Sequence, residues 1–208
     1  TKSAAVGYPR RSDKSPLDEQ TTVAITLSEN DVFHSPSTTD LVDTTSWYRI
    51  GVPIETRSYQ LTGVALQTDA IYSFQEMLDA ATAATAIQYE DTPSTMSVQK
   101  RLLSHSQIRY YTQDLSGEAA LGVVPSHALP YRTYTEAFTP TLIDDALDSR
   151  ATDTILTEGG YIRFSTATGE PWWVPSGIQV FDDQAFYLPV SFVDPFENET
   201  TVTYDTAY

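Results

Sequence analysis

Apolar and polar residues alternate along much of this chain, and most of the alternating runs are short. Thr21 to Asp31 sets Val23, Ile25 and Leu27 against Thr22, Ala24 and Thr26, which predicts a strand with one buried face. His34 to Thr45, rich in Ser, Thr, Asp and Pro, predicts a loop. The pattern returns from Trp47 to Thr62, where Ile54, Thr56, Ser58 and Gln60 interleave with Glu55, Arg57, Tyr59 and Leu61. Pro53 has no ladder donor and is expected to mark an edge or bulge between two strand pieces. Further strands are predicted over Lys100–Asp114, Tyr131–Phe138, Tyr161–Phe164, Trp172–Val174 and Gln179–Phe181, after an opening strand at Ala4–Tyr8. The last stretch, Gln184 to Tyr208, holds two more runs. Phe186, Leu188 and Val190 alternate in the first, Thr200, Val202 and Tyr204 in the second. Between them Asp194-Pro195 opens a turn and Asn198 is expected to take the left-handed conformation that closes it.

Helical spacing is rarer. Ser73-Phe74-Gln75-Glu76 has the form of a capping box, and Phe74, Met77, Leu78, Ala81 and Ala84 follow at helical intervals. A helix from there to Ala86 should pack this apolar stripe on a sheet. Thr139-Pro140 predicts an N-cap with proline in the first turn and a short helix through Leu147. Thr152 to Glu158 predicts another, closed by Gly159-Gly160. The sum is a mainly β, antiparallel fold carrying two or three short helices, with no repeat of fixed period. At 208 residues, one domain is the expectation.

Charge narrows the choice of partners. Lys and Arg total 12 against 28 Asp and Glu, a formal charge of −16. Such a chain repels phosphate backbones and anionic lipid, so nucleic acid and direct membrane insertion are not expected. The Arg10-Arg11 pair is too short for a nucleic-acid patch. With no cysteine there is no disulfide and no cysteine-based nucleophile or zinc site. No apolar run approaches the roughly 18–20 residues of a membrane span, and Thr1–Gln20 lacks the apolar core of a signal peptide. The start without methionine suits a piece of a longer protein.

Candidate chemistry is sparse. His34, His105 and His127 fall in no spaced ligand pair such as H-E-x-x-H. Neither a glycine-rich nucleotide loop nor a G-x-S-x-G elbow is present, so no cofactor is expected. Asp144-Asp145 and Asp182-Asp183 are acidic pairs, but neighbours on a strand point to opposite faces and cannot share a substrate. Loss of turnover on Asp182→Asn would be needed to sustain a hydrolase reading. Trp172-Trp173, with Tyr161, Phe181 and Tyr187, would make a sugar-binding platform if exposed. Aromatics in strands ordinarily serve packing instead. No catalytic, cofactor-binding or metal-binding residue is nominated.

Several phrases carry a family resemblance. FYLPV (186–190) followed by DPFENETTVTYD (194–205) resembles the segment leading into the YD (tyrosine-aspartate) repeats of Rhs-repeat proteins and of the B component of insecticidal Tc toxin complexes. A phrase D-P-F-G-N is expected there, and Glu197 stands in place of the glycine. YPRR (8–11), TLSENDVF (26–33), WYRIGVPIETRSYQLTG (47–63), the run from Tyr110 to Pro140, EGGYI (158–162) and PWWVPSG (171–177) are similar to the same component in the same order. The resemblance implies a non-enzymatic segment, residues 1–208, of a larger secreted subunit. Residues 1–20 would form an opening strand and loop, and 184–208 a hairpin leading into the repeats. In that family the repeats wind into a hollow β-shell that encloses a toxic C-terminal segment. The implied partners are the remaining B-component chain, the C component with its cargo, and the channel-forming A component. A carbohydrate-binding β-module is the alternative expectation.

Overall fold

In a computed structural model of the protein, residues 1–9, 17–35, 47–65, 71–94 and 96–205 are described. Among them the strands and α-helices are, in order, β1 (Lys2–Gly7), β2 (Ala24–Ser35), β3 (Arg49–Thr62), α1 (Phe74–Ala83), β4 (Thr85–Ile87), β5 (Gln99–Tyr110), β6 (Pro130–Phe138), α2 (Pro140–Leu142), α3 (Asp153–Glu158), β7 (Trp172–Pro175), β8 (Ile178–Asp182), β9 (Leu188–Val193) and β10 (Glu199–Thr201). Strands β1-β2-β3-β5-β6-β7 are neighbours in that order in a seven-stranded sheet, with the short β4 parallel to β5. A three-stranded sheet follows in the order β10-β9-β8. The mainly β, antiparallel class expected from alternation is what the chain adopts.

Contacts divide the chain into two compact units, one of residues 1–30 and 56–105, the other of 31–55 and 106–208. In the first, Ile25, Leu61, Met77 and Ala80 form the buried cluster. Ile25 and Leu27, two apart on β2, are buried as the period of two requires. In the second unit, Ile54, Tyr110 and Val124 form one cluster, and Ile143, Leu156 and Trp172 another. Strand β3 therefore contributes Ile54 from one of its interleaved sets and Leu61 from the other.

The irregularity expected at Pro53 sits two residues earlier. β3 runs unbroken through Pro53 in the interior of the sheet order. Gly51 carries the left-handed backbone, at φ +70°. Its N–H donates to Nδ1 of His34 at 3.1 Å, a side chain, and not to a ladder carbonyl. The Pro53 carbonyl accepts from the Tyr110 hydroxyl at 2.6 Å. His34 and Ser35 thus belong to β2, not to a loop; residues 36–45, the rest of that predicted loop, lie outside the described residues, as do Arg10 and Arg11.

Helix α1 begins at the expected capping box. Ser73 Oγ accepts from the Glu76 N–H, and the Glu76 carboxylate accepts from the Ser73 N–H. It stops at Ala83, short of Ala86, because Ala84 turns extended (φ −61°, ψ 125°) and Thr85–Ile87 pairs with β5. Its buried residues are Met77, Ala80 and Ala81, while Phe74 is 81% exposed and Leu78 39%. The stripe is rotated from the expected one.

The two later helices start at their caps. Thr139 Oγ1 accepts from the Leu142 N–H and Thr152 Oγ1 from the Ile155 N–H. After α2 the chain widens into a π turn over Ile143–Leu147 and then tightens to a 3-10 turn, Asp148–Arg150. Of the glycine pair closing α3, Gly160 takes the left-handed conformation (φ +83°). Tyr161–Phe164 is not a strand; only Ile162 bridges, to Trp173. Phe186 and Tyr187 lie in a left-handed turn (φ 56° and 57°), so β9 starts at Leu188.

Candidate functional site

The terminal sheet is the feature most unlike a closed domain. β9 pairs with β8 on one side and β10 on the other, with Glu199 opposite Val193, Thr200 opposite Phe192 and Thr201 opposite Ser191. Among the described residues β10 has no neighbour beyond it in the sheet order, so one row of its backbone groups is left for another strand. The pairing outlasts the strand. Val202 N–H donates to the Val190 carbonyl at 2.8 Å, and the Tyr204 hydroxyl to the Pro189 carbonyl at 2.7 Å.

One carboxylate organises the turn that sets this register. Asp194 Oδ1 accepts from the backbone N–H of Phe196 (2.8 Å) and of Asn198 (2.9 Å), and Oδ2 from the Asn198 side-chain amide (2.8 Å). The Asn198 amide group, then its backbone N–H and that of Phe196, hold the Asp194 carboxyl below its usual value, because each stabilises the ionised form. The left-handed residue is Glu197 (φ +66°), not Asn198. It occupies the position where the resembled motif has glycine.

The sequence-nominated chemistry does not converge. His34 is the acceptor for Gly51, and His127 Nε2 lies 3.1 Å from the Gln113 carbonyl. His105 is part-exposed on β5. Among the described residues no group of three or more His, Asp or Glu side chains is placed to hold a metal ion. Asp144 and Asp145 are exposed on the π turn. Asp182 ends β8 and accepts from the Gln184 N–H, while Asp183 opens the following 3-10 turn. Trp172 and Trp173 are both buried, so they offer no sugar-stacking platform; Tyr161 and Phe181 are half-buried.

Pattern reading missed a polar cluster around Tyr134. The Tyr134 hydroxyl on β6 donates to Glu118 Oε2, and Arg109 Nε lies 4.0 Å from Glu118 Oε1 and donates to Gln107 Oε1 at 3.1 Å. The Arg109 guanidinium sits 4.7 Å over the Phe164 ring, which meets Tyr134 edge-on at 5.0 Å. Burial, followed by the Glu118 carboxylate, pushes the Tyr134 phenol up to about 12. A phenol held neutral and already bonded to a carboxylate is a clamp rather than a base. It fastens the loop from Thr112 to Glu118 to the sheet. Nothing local in the sequence flags it, because Glu118 and Tyr134 are sixteen positions apart.

No protein-family model matches the sequence, and no curated protein sequence matches it. Solved structures do match. A Tc holotoxin pore of Photorhabdus luminescens, with a point mutation in its TccC3 part, superposes with a TM-score of 0.63 at 17% identity, over 98% of this chain and 11% of that one. A TcdB2–TccC3 structure lacking its hypervariable C-terminal region gives a TM-score of 0.62 at 18% identity, over 93% of this chain and 9% of that one. The chain spans about a tenth of the length of the structures it matches. At these identities the likeness is one of fold. It runs along nearly the whole chain, and it is to the same kind of assembly that the motifs resemble.

Proposed function

We propose that this chain is a structural, non-catalytic stretch of the B component of a Tc-type toxin, where the wall of an Rhs/YD-repeat shell begins. The observation that carries the reading is the fold match over 98% of the chain to a segment amounting to 11% of a Tc holotoxin chain. The open β10 edge supports it, since a wall grows by strand addition. In this reading later strands of the same polypeptide take up that edge. The finished container encloses a toxic C-terminal segment supplied by the C component, and the secreted complex delivers it through the channel of the A component. No described helix is long and apolar enough to cross a membrane. Acidic, Thr-rich strand surfaces suit an inner wall that does not grip its cargo.

Protease protection tests the proposal. The complete parent polypeptide, assembled with its C-terminal cargo segment, should shield that cargo from added protease. A doubly substituted parent, Trp172→Ala with Trp173→Ala, should release it to digestion. Cargo digested at the rate of the free segment in the unsubstituted assembly would overturn the container reading.

A further inference from the structure

At the other end of the sheet order, β1 also has a side with no strand on it among the described residues, and here that edge runs beside an apolar groove. Thr1 and Asn30 exchange both backbone hydrogen bonds, N to O at 2.6 Å and O to N at 2.7 Å. In an antiparallel ladder bonded and non-bonded pairs alternate, so Lys2, Ala4 and Val6 direct their backbone N–H and C=O groups away from β2. The same three residues line a groove of about 240 Å³ whose other wall is α1, through Phe74, Met77 and Leu78. Phe74 and Leu78 are the two large apolar residues of α1 that the core leaves out.

Charge identifies the occupant. β1 (KSAAVG) has no acidic residue. At the Lys2 end, Lys2 and Lys100 stand 2.8 and 3.9 Å from Glu29 Oε1, and Arg57 also acts on that carboxylate. Two lysines thus share one carboxylate beside the β1 edge, in a chain whose formal charge is −16. We propose that the β1 edge and its groove receive an added β-strand of neighbouring polypeptide, with apolar side chains at alternate positions and a carboxylate opposite Lys2. Strand addition supplies backbone bonds to Lys2, Ala4 and Val6, and the apolar side chains of the added strand cover Phe74 and Leu78. The groove belongs to the first unit alone, so the proposal stands apart from any container role.

The probe is a labelled peptide, Thr-Val-Thr-Val-Thr-Glu-Thr, whose glutamate and two valines share one strand face, with a charge-reversed control carrying lysine for the glutamate. Saturable binding is expected, at least tenfold tighter for the acidic peptide, with amide shifts on Lys2–Val6 and Phe74–Ala81. Phe74→Asp, at an exposed first-turn position that tolerates an acid, should leave melting unchanged and weaken binding at least fivefold. Lys2→Glu should erase the preference for the acidic peptide. Equal affinity for both peptides, shifts confined to β9, or indifference to Phe74→Asp would overturn the assignment. So would self-association of the chain abolished by Phe74→Asp, which would make a second copy the occupant.

Discussion

Trp172 and Trp173 are adjacent in β7 and both are buried, at 5% and 3% exposure. Alternation sends them to opposite sides of the strand. Trp172 packs with Ile143 and Leu156 beneath the Arg163 guanidinium, 4.4 Å from its ring, and Trp173 meets the Phe164 ring at 5.4 Å. This outer strand of the seven-stranded sheet is therefore covered on both faces. Replacing either tryptophan with alanine should cost roughly 3–5 kcal/mol, read as a lower urea midpoint. Trp fluorescence against a glycan panel should show no specific shift in the unsubstituted chain. A shift abolished by Trp172→Ala would revive the carbohydrate-binding reading.

Glu197 holds a left-handed backbone at φ +66° in the turn between β9 and β10. That conformation costs a residue with a Cβ about 1–2 kcal/mol, part of which glycine returns as lost chain entropy. Glu197→Gly should stabilise the chain by about 0.5–1 kcal/mol, seen as a rise in Tm with the β9–β10 register unchanged.

Asp194 ties the same turn together in its ionised form. Its folded pKa lies below the ordinary value near 4. The support it gives is therefore present above that value and lost as pH falls through the lower folded pKa. Amide shifts of Phe196 and Asn198 should titrate together, with a midpoint lower than that of an ordinary aspartate. Asp194→Asn should remove the titration.

Tyr134 gives the opposite dependence. Its folded pKa is raised to about 12. The stability it contributes is complete below the unfolded value near 10 and is lost as pH rises through about 12. Tyr134→Phe should remove one phenolate step near pH 12 from an absorbance titration and cost about 1 kcal/mol at neutral pH through the lost Glu118 bond.

Two residues of α1 separate what a helical pattern shows from what packing decides. Met77→Ala should cost about 2–5 kcal/mol, whereas Phe74→Ala should change stability by no more than about 0.5 kcal/mol. Thermal melts of the two variants check the contrast.

Local chemistry made much of this fold legible. The capping box at Ser73–Glu76, the Thr139 cap and the shared buried face of Ile25 and Leu27 all act within a few residues, and each formed as expected. What failed depends on distant partners. The end of α1 was set by β5, which takes Thr85–Ile87 as a parallel neighbour. The left-handed position fell not at Pro53 but at Gly51, where the Gly51 N–H meets an acceptor, His34 on β2, seventeen positions back. Phe74 looked like a core residue because helical spacing shows which residues share a face, but not how far the sheet beneath that face extends. The motifs 186–190 and 194–205 pointed to the assembly whose fold the chain shares, although the Glu118–Tyr134 clamp left no mark in them.

Between β7 and β8 the chain steps from the larger sheet to the smaller through Ser176 and Gly177. Ser176 exchanges bonds with Thr133: its N–H donates to the Thr133 carbonyl at 2.7 Å, and its hydroxyl accepts from the Thr133 N–H at 3.0 Å. A Cβ on Gly177 would stand 2.6 Å from the Val193 carbonyl oxygen. The joint is thus sewn on one residue and has no clearance on the next. A single methyl group there would spare every buried cluster and still prise the last three strands away from their seat.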